Sequence, residues 1–159
     1  MRKGCRVLDL GCMPGSWLLF ASRIVGPKGL VVGVDLKSVS ISIPSNARFV
    51  QHDVFRCDAT FLEAIGGPFD AVLSDMAPST TGNRFVDAQS SLELCESAMN
   101  IALQVLIPKG AFVCKMFHGS DFKDFSNRIK VFFGRISHVR PKTTRKASKE
   151  IFIVALGKK

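Results

Sequence analysis

Lys115 stands inside FVCKMF, an apolar run from Phe112 to Phe117 whose composition predicts a strand at the centre of a sheet. Lysine is almost never buried without a partner. An amine held in a cleft beside carboxylates is a candidate acid/base group. Two acids qualify as its partners. Asp75 closes an earlier apolar run in SDMAP (Ser74 to Pro78), where the proline stiffens the turn and fixes the carboxylate at the sheet edge. Glu150 opens the last apolar run and follows a series of cations, from where it can reach Lys115 across adjacent strands. The bland readings are a lysine that extends to the strand end, a capping aspartate, and a surface ion pair of Glu150 with Lys146 or Lys149.

A second constellation lies nearer the N-terminus. DLGCMPGSW (Asp9 to Trp17) joins a strand to a helix through a turn with Gly11 and Gly15 at its ends and Pro14 inside it. Glycines there let backbone approach a ligand closely. The pattern is not GxGxxG, whose glycines serve a pyrophosphate at a helix N-terminus. Asp35 ends the second strand, where an acid accepts hydrogen bonds from a ribose diol. Asp53 follows the third strand, and as an acceptor it suits the exocyclic amine of an adenine. Each of these acids can also be an ordinary turn or loop residue. Together the three features suit an adenosine without a pyrophosphate. A nicotinamide dinucleotide is the rival ligand, but it calls for GxGxxG and a further substrate domain.

The elements that must hold these residues alternate between strand and helix. Strands are predicted at Cys5 to Leu10, Leu30 to Asp35, Ala47 to Val50, Phe69 to Asp75, Ala111 to Phe117, Arg135 to Arg140 and Glu150 to Leu156. Helices are predicted at Ser16 to Val25, Ala59 to Ile65, Asp87 to Leu106 and Asp121 to Phe133, each stopped by glycine or proline. That alternation implies an α/β fold, a mostly parallel sheet with helices on both faces. Ligands of such sheets sit beyond the carboxyl ends of the strands at the topological switch point.

The length of 159 residues suits one domain. With 47% apolar and 22% charged residues the chain reads as globular. No apolar run approaches the roughly 20 residues of a membrane span. Nothing ahead of the first strand resembles a secretory signal. Five cysteines without CxxC spacing read as reduced thiols in a cytoplasmic setting, with no metal site. The net charge is +9, and from Arg135 onward Glu150 is the one acid among eight cations. Such a field attracts polyanions.

In this order and spacing, DLGCMPGSW, VGVDL, SDMAP, VCKMF and KEIFIVALG resemble the FtsJ/RrmJ family of ribose 2′-O-methyltransferases over essentially the whole chain. The resemblance implies a Rossmann-like S-adenosylmethionine-dependent methyltransferase fold, seven-stranded and mostly parallel with an antiparallel last strand, as a single domain over residues 1–159. It implies S-adenosylmethionine as cofactor and S-adenosylhomocysteine as product. The implied substrate is a uridine of large-subunit (23S) ribosomal RNA; the composition itself suits a cytoplasmic monomer with no membrane partner. By motif, Gly11, Gly15, Ser16 and Trp17 fall in the cofactor loop, Asp35 matches the ribose-binding acid and Asp53 the acid near adenine. Asp75 matches a methionine-side contact and a member of the catalytic Lys-Asp-Lys-Glu tetrad, Lys115 its central lysine and Glu150 its glutamate. Arg140, Lys142, Arg145, Lys146 and Lys149 would hold RNA phosphates. The family's loop is closer to GAAPGGW, so Cys12, Met13 and Ser16 are substitutions. The tetrad's first lysine belongs to a helix upstream of the first strand. This sequence opens at Met1-Arg2-Lys3, and Lys3 is out of register for that role. Two other readings fit the same motifs: a transfer-RNA ribose methyltransferase, and a non-catalytic protein binding S-adenosylmethionine and RNA.

Overall fold

The computed structural model describes residues 1–38, 41–140 and 150–159. The chain runs β1 (Arg6–Leu10), α1 (Ser16–Val25), β2 (Leu30–Asp35), β3 (Ala47–Gln51), a 3-10 turn (Val54–Arg56), α2 (Ala59–Ala64), β4 (Phe69–Ser74), α3 (Arg84–Val105), β5 (Leu106–Phe117), α4 (Phe122–Phe132), β6 (Phe133–Val139) and β7 (Glu150–Lys158). The strands form one seven-stranded sheet in the order β3-β2-β1-β4-β5-β7-β6. Strands β1 to β5 are parallel, and β7 lies antiparallel between β5 and β6.

Alternation along the strands divides the core in two. Val7, Val31, Ala71 and Leu73 pack against Leu18, Ala21 and Val25 of α1. Their chain neighbours Leu8, Val32 and Val72, with Phe112, Cys114 and Met116 of β5, pack on the opposite side with α2, α3 and α4. This is the period-two pattern of a sheet covered on both faces. On α3 the buried residues Ser91, Cys95, Ala98, Ala102 and Val105 recur at the three- and four-residue spacing of one helical face.

Three features differ from the sequence reading. Helix α3 starts three residues before Asp87, because the Asn83 side chain caps it by accepting from the Phe85 and Val86 amides at 3.1 and 3.4 Å. Strand β5 starts at Leu106, which pairs with Phe69; the ladder then shifts register around the proline and glycine that were expected to separate helix from strand. Lys158 and Lys159, counted from sequence among the polyanion-facing cations, instead bond helix ends. Lys158 Nζ donates to Leu103 O at 2.6 Å and Leu106 O at 2.7 Å, and Lys159 Nζ to Val131 O at 2.9 Å. Cations are favourable at helix C-termini. Among the described residues no helix is long and apolar enough to cross a membrane.

Candidate active site

The strand order reverses between β1 and β4, whose last residues Leu10 and Ser74 are register partners. The next residue on each strand is therefore Gly11 and Asp75, side by side at the switch point. Gly11 has φ +72°, and a Cβ on it would lie 2.2 Å from the Met76 side chain. Only glycine satisfies both demands, so the first turn and SDMAP are fitted to each other.

Strand β5 neighbours β4, with Cys114 opposite Ser74, which brings Lys115 beside Asp75. The Lys115 amine lies 3.0 Å from Asp75 Oδ1 and 3.8 Å from Glu150 Oε1. Phe152 is the direct cross-strand partner of Lys115, and Glu150 stands two residues back on the same face. That diagonal is within reach of long side chains, which explains why the acid that opens β7 meets an amine in the middle of β5. Lys115 itself is 9% exposed. Both carboxylates are about one-third open to solvent.

A cavity of about 490 Å³ extends from this cluster, lined by Gly11, Met13, Asp35, Asp53, Asp75 and Lys115 among others. Asp35 clasps two loops: Oδ2 accepts from the Met13 amide at 3.0 Å and Oδ1 from the Lys37 amide at 2.9 Å. A carboxylate has about four lone-pair sites, so acceptor capacity remains for a ligand. Asp53 caps the 3-10 turn through the Phe55 amide at 2.9 Å.

Asp9 was not singled out from sequence, and it is the most unusual group here. It is fully buried in β1, and neither carboxylate oxygen has a hydrogen-bond partner among the described residues. Burial, then the charges of Asp75 and Asp35, push its carboxyl up to about 8. The signal for finding it was the one used for Lys115, a charged residue in an apolar run. Buried polar groups are normally satisfied. An orphaned carboxyl beside two further acids and a glycine turn fits a ligand that carries positive charge and N–H donors, as the amino-acid end of S-adenosylmethionine does. Cys12 and Cys57 offer no rival nucleophile: burial raises Cys12 to about 12 and Cys57 to about 11.

The family model for FtsJ-like methyltransferases matches residues 1–158. The chain belongs to the FtsJ-like methyltransferase family. Curated relatives agree. The ribosomal RNA large subunit methyltransferase E of Desulforapulum autotrophicum is 48% identical over 159 residues, 100% of this chain and 78% of the relative. That of Desulfatibacillum aliphaticivorans is 50% identical, over 100% of this chain and 77% of the relative. Among solved structures, a ribosomal RNA methyltransferase from Plasmodium falciparum superposes with TM-score 0.85 at 26% identity, covering 99% of this chain and 88% of that one. An S-adenosylmethionine-dependent O-methyltransferase from Thermotoga maritima, at TM-score 0.71 and 14% identity over 99% of this chain and 61% of that one, shares the fold.

Of the residues singled out from sequence, Gly11, Asp35, Asp53, Asp75 and Lys115 surround one cavity, with Glu150 paired to Lys115 at its edge. Gly15, Ser16 and Trp17 are not among its lining residues. Gly15, at φ 110°, precedes the first residue of α1, Ser16. Trp17 stacks on Phe152 with ring centroids 5.5 Å apart, which ties the turn to the strand facing Lys115. Arg140 is exposed just past β6. Lys142, Arg145, Lys146 and Lys149 lie outside the described residues.

Proposed function

We propose that this protein transfers the methyl group of S-adenosylmethionine to a ribose 2′-hydroxyl in large-subunit ribosomal RNA, a uridine in the reading that the motifs support. One observation carries the chemistry: an amine in the sheet within 3.0 and 3.8 Å of two carboxylates, at the rim of an acid-lined cavity. The names of relatives at 48 and 50% identity support the substrate class.

In this reading Gly11 lets the backbone approach the cofactor, Asp35 accepts from the ribose diol, Asp53 faces the adenine amine, and Asp75 attracts the charged end. Gly15, Ser16 and Trp17 shape the loop. When bound, S-adenosylmethionine supplies an electrophilic methyl group and leaves as S-adenosylhomocysteine. Lys115 meets the 2′-hydroxyl, steers its oxygen toward that methyl and takes its proton in the neutral form. Asp75 and Glu150 hold the amine in position. A positioned acid/base group contributes about 10²–10⁴-fold, and in-line alignment contributes further. Arg140, Lys142, Arg145, Lys146 and Lys149 hold RNA phosphates, so affinity falls as salt rises. The substrate places the reaction in the cytoplasm, and a monomer suffices for it.

The test is methyl incorporation from labelled S-adenosylmethionine into large ribosomal subunits and transfer RNA side by side, with the product mapped for 2′-O-methylation. Labelling of a subunit uridine is expected. Labelling of transfer RNA alone, or of a base, would refute the assignment.

A further inference from the structure

A second cavity, of about 430 Å³, borders the same cluster. Glu150 lines it, together with Arg84, Phe85, Asp87, Phe117 and His118. Lys115 borders the cofactor-side cavity and Glu150 this one, so their 3.8 Å ion pair stands between the two. Both volumes lie within the roughly 300–1,000 Å³ of small-molecule sites.

Phe85 makes this cavity distinctive. It is 75% exposed, more than any other large apolar side chain among the described residues. Its backbone is nevertheless fixed, because its amide donates to the Asn83 cap. An aromatic ring left open at a capped helix start is a stacking surface, and no other ring among the described residues stacks on it. The charges sort the occupant. Asp87 and Glu150 repel a phosphate, and Arg84 attracts one. Asp87 is held as an anion by the Thr81 amide at 2.8 Å, which keeps its carboxyl below the usual range. A neutral heterocycle inside, with its phosphate toward Arg84, satisfies both.

Covalent geometry supplies the last constraint. The base of a nucleotide is bonded to the ribose carbon next to the one that bears the 2′-hydroxyl. If that hydroxyl meets Lys115, the base lies within one residue's reach of the amine, and the cofactor occupies the other side. We infer that the cavity of Arg84, Phe85, Phe117 and His118 receives the base of the target nucleotide, stacked on Phe85, with Arg84 at a neighbouring phosphate. The inference rests on the methyl-transfer reading above and deepens it by assigning the substrate side of the same site.

Steady-state methylation of large ribosomal subunits isolated from cells lacking the enzyme tests it with Phe85→Ala, Phe85→Leu and Phe85→Trp. A base stacked on an aromatic ring is worth about 1–3 kcal/mol by alanine substitution, about five- to 150-fold. Phe85→Ala is expected to raise KM for subunits within that range, with the Kd for S-adenosylmethionine unchanged. Phe85→Trp should keep the wild-type KM, and Phe85→Leu should lose as much as alanine, because leucine keeps apolar bulk without a ring face. Wild-type KM in Phe85→Ala overturns the inference while leaving the methyl-transfer reading intact. Recovery by leucine overturns it in favour of an apolar contact with a ribosomal protein. Absence of methylation by the wild-type protein overturns both.

Discussion

Lys115 Nζ lies 3.0 Å from Asp75 Oδ1, although the two residues are forty positions apart and meet through the β4–β5 register alone. The amine is nearly closed to water and the acid is one-third open. Removing the amine therefore leaves two carboxylates that solvent can still reach, and the fold tolerates it. Lys115→Ala is expected to lower single-turnover methyl transfer by at least about 10²-fold, the low end for a positioned proton-transfer group. The Kd for S-adenosylmethionine, measured by calorimetry, should change little. Equal loss of rate and cofactor affinity would remove Lys115 from the chemistry. Glu150→Gln should cost less than Asp75→Asn, because 3.8 Å is beyond hydrogen-bond length.

Gly11 and Met76 test whether the two loops at the switch point are fitted to each other. Gly11→Ala adds a carbon 2.2 Å from the Met76 side chain and asks an L-residue to hold φ +72°. Overpacking of this kind costs typically about 1–3 kcal/mol, with left-handed strain of roughly 1–2 kcal/mol added. A lower midpoint in denaturant is the expected result. Adding Met76→Ala should recover the overpacking part and leave the strain. If the double variant is no more stable than Gly11→Ala, the two residues do not press on each other.

Asp35 joins its own strand end to the glycine turn, since one carboxylate holds the amides of Met13 and Lys37. Hydrogen bonds to a charged group contribute about 1.5–3 kcal/mol each. Asp35→Ala should weaken S-adenosylmethionine binding by at least about 10-fold on that scale, and Asp35→Asn by less because one acceptor oxygen survives. A cofactor titration in which alanine binds like wild type would show that neither the loop nor the ligand depends on this acid.

Lys115, Asp75 and Glu150 were legible because each breaks a local pattern: a cation in an apolar strand, an acid before a proline turn, an acid after cations. The strand and helix order was legible from periodicity and from glycine and proline stops. Asp9 breaks the same pattern as Lys115, but it sits two residues before a glycine turn and is easily read as part of it. The Asn83 cap lay in a polar loop where Asp87 looked like the helix start, yet Asp87 bonds back to Thr81. The stack of Trp17 on Phe152 and the bonds from Lys158 to the end of α3 join segments far apart in sequence. No local propensity encodes them.

Asp9 carries the pH prediction. In the folded protein its carboxyl is raised to about 8 from an ordinary 3.8, first by burial and then by Asp75 and Asp35. Below about pH 4 both folded and unfolded chains hold the proton. From there to about pH 8 the folded chain keeps a proton that the unfolded chain has lost, so stability falls as pH rises. Above that range the loss is complete. A tenfold change in proton affinity corresponds to about 1.4 kcal/mol, so the stability lost across the window is on the order of a few kcal/mol. Asp9→Asn cannot ionise, and its melting temperature should fall less than that of the wild type from about pH 5 to about pH 8. Comparison of the two proteins cancels the groups that lie far from Asp9 in both. A cationic ligand in the adjoining cavity favours the ionised form, so saturating S-adenosylmethionine should flatten the wild-type slope. Melting curves at matched ionic strength decide the matter. Parallel profiles for the two proteins would mean that Asp9 gains a partner in solution.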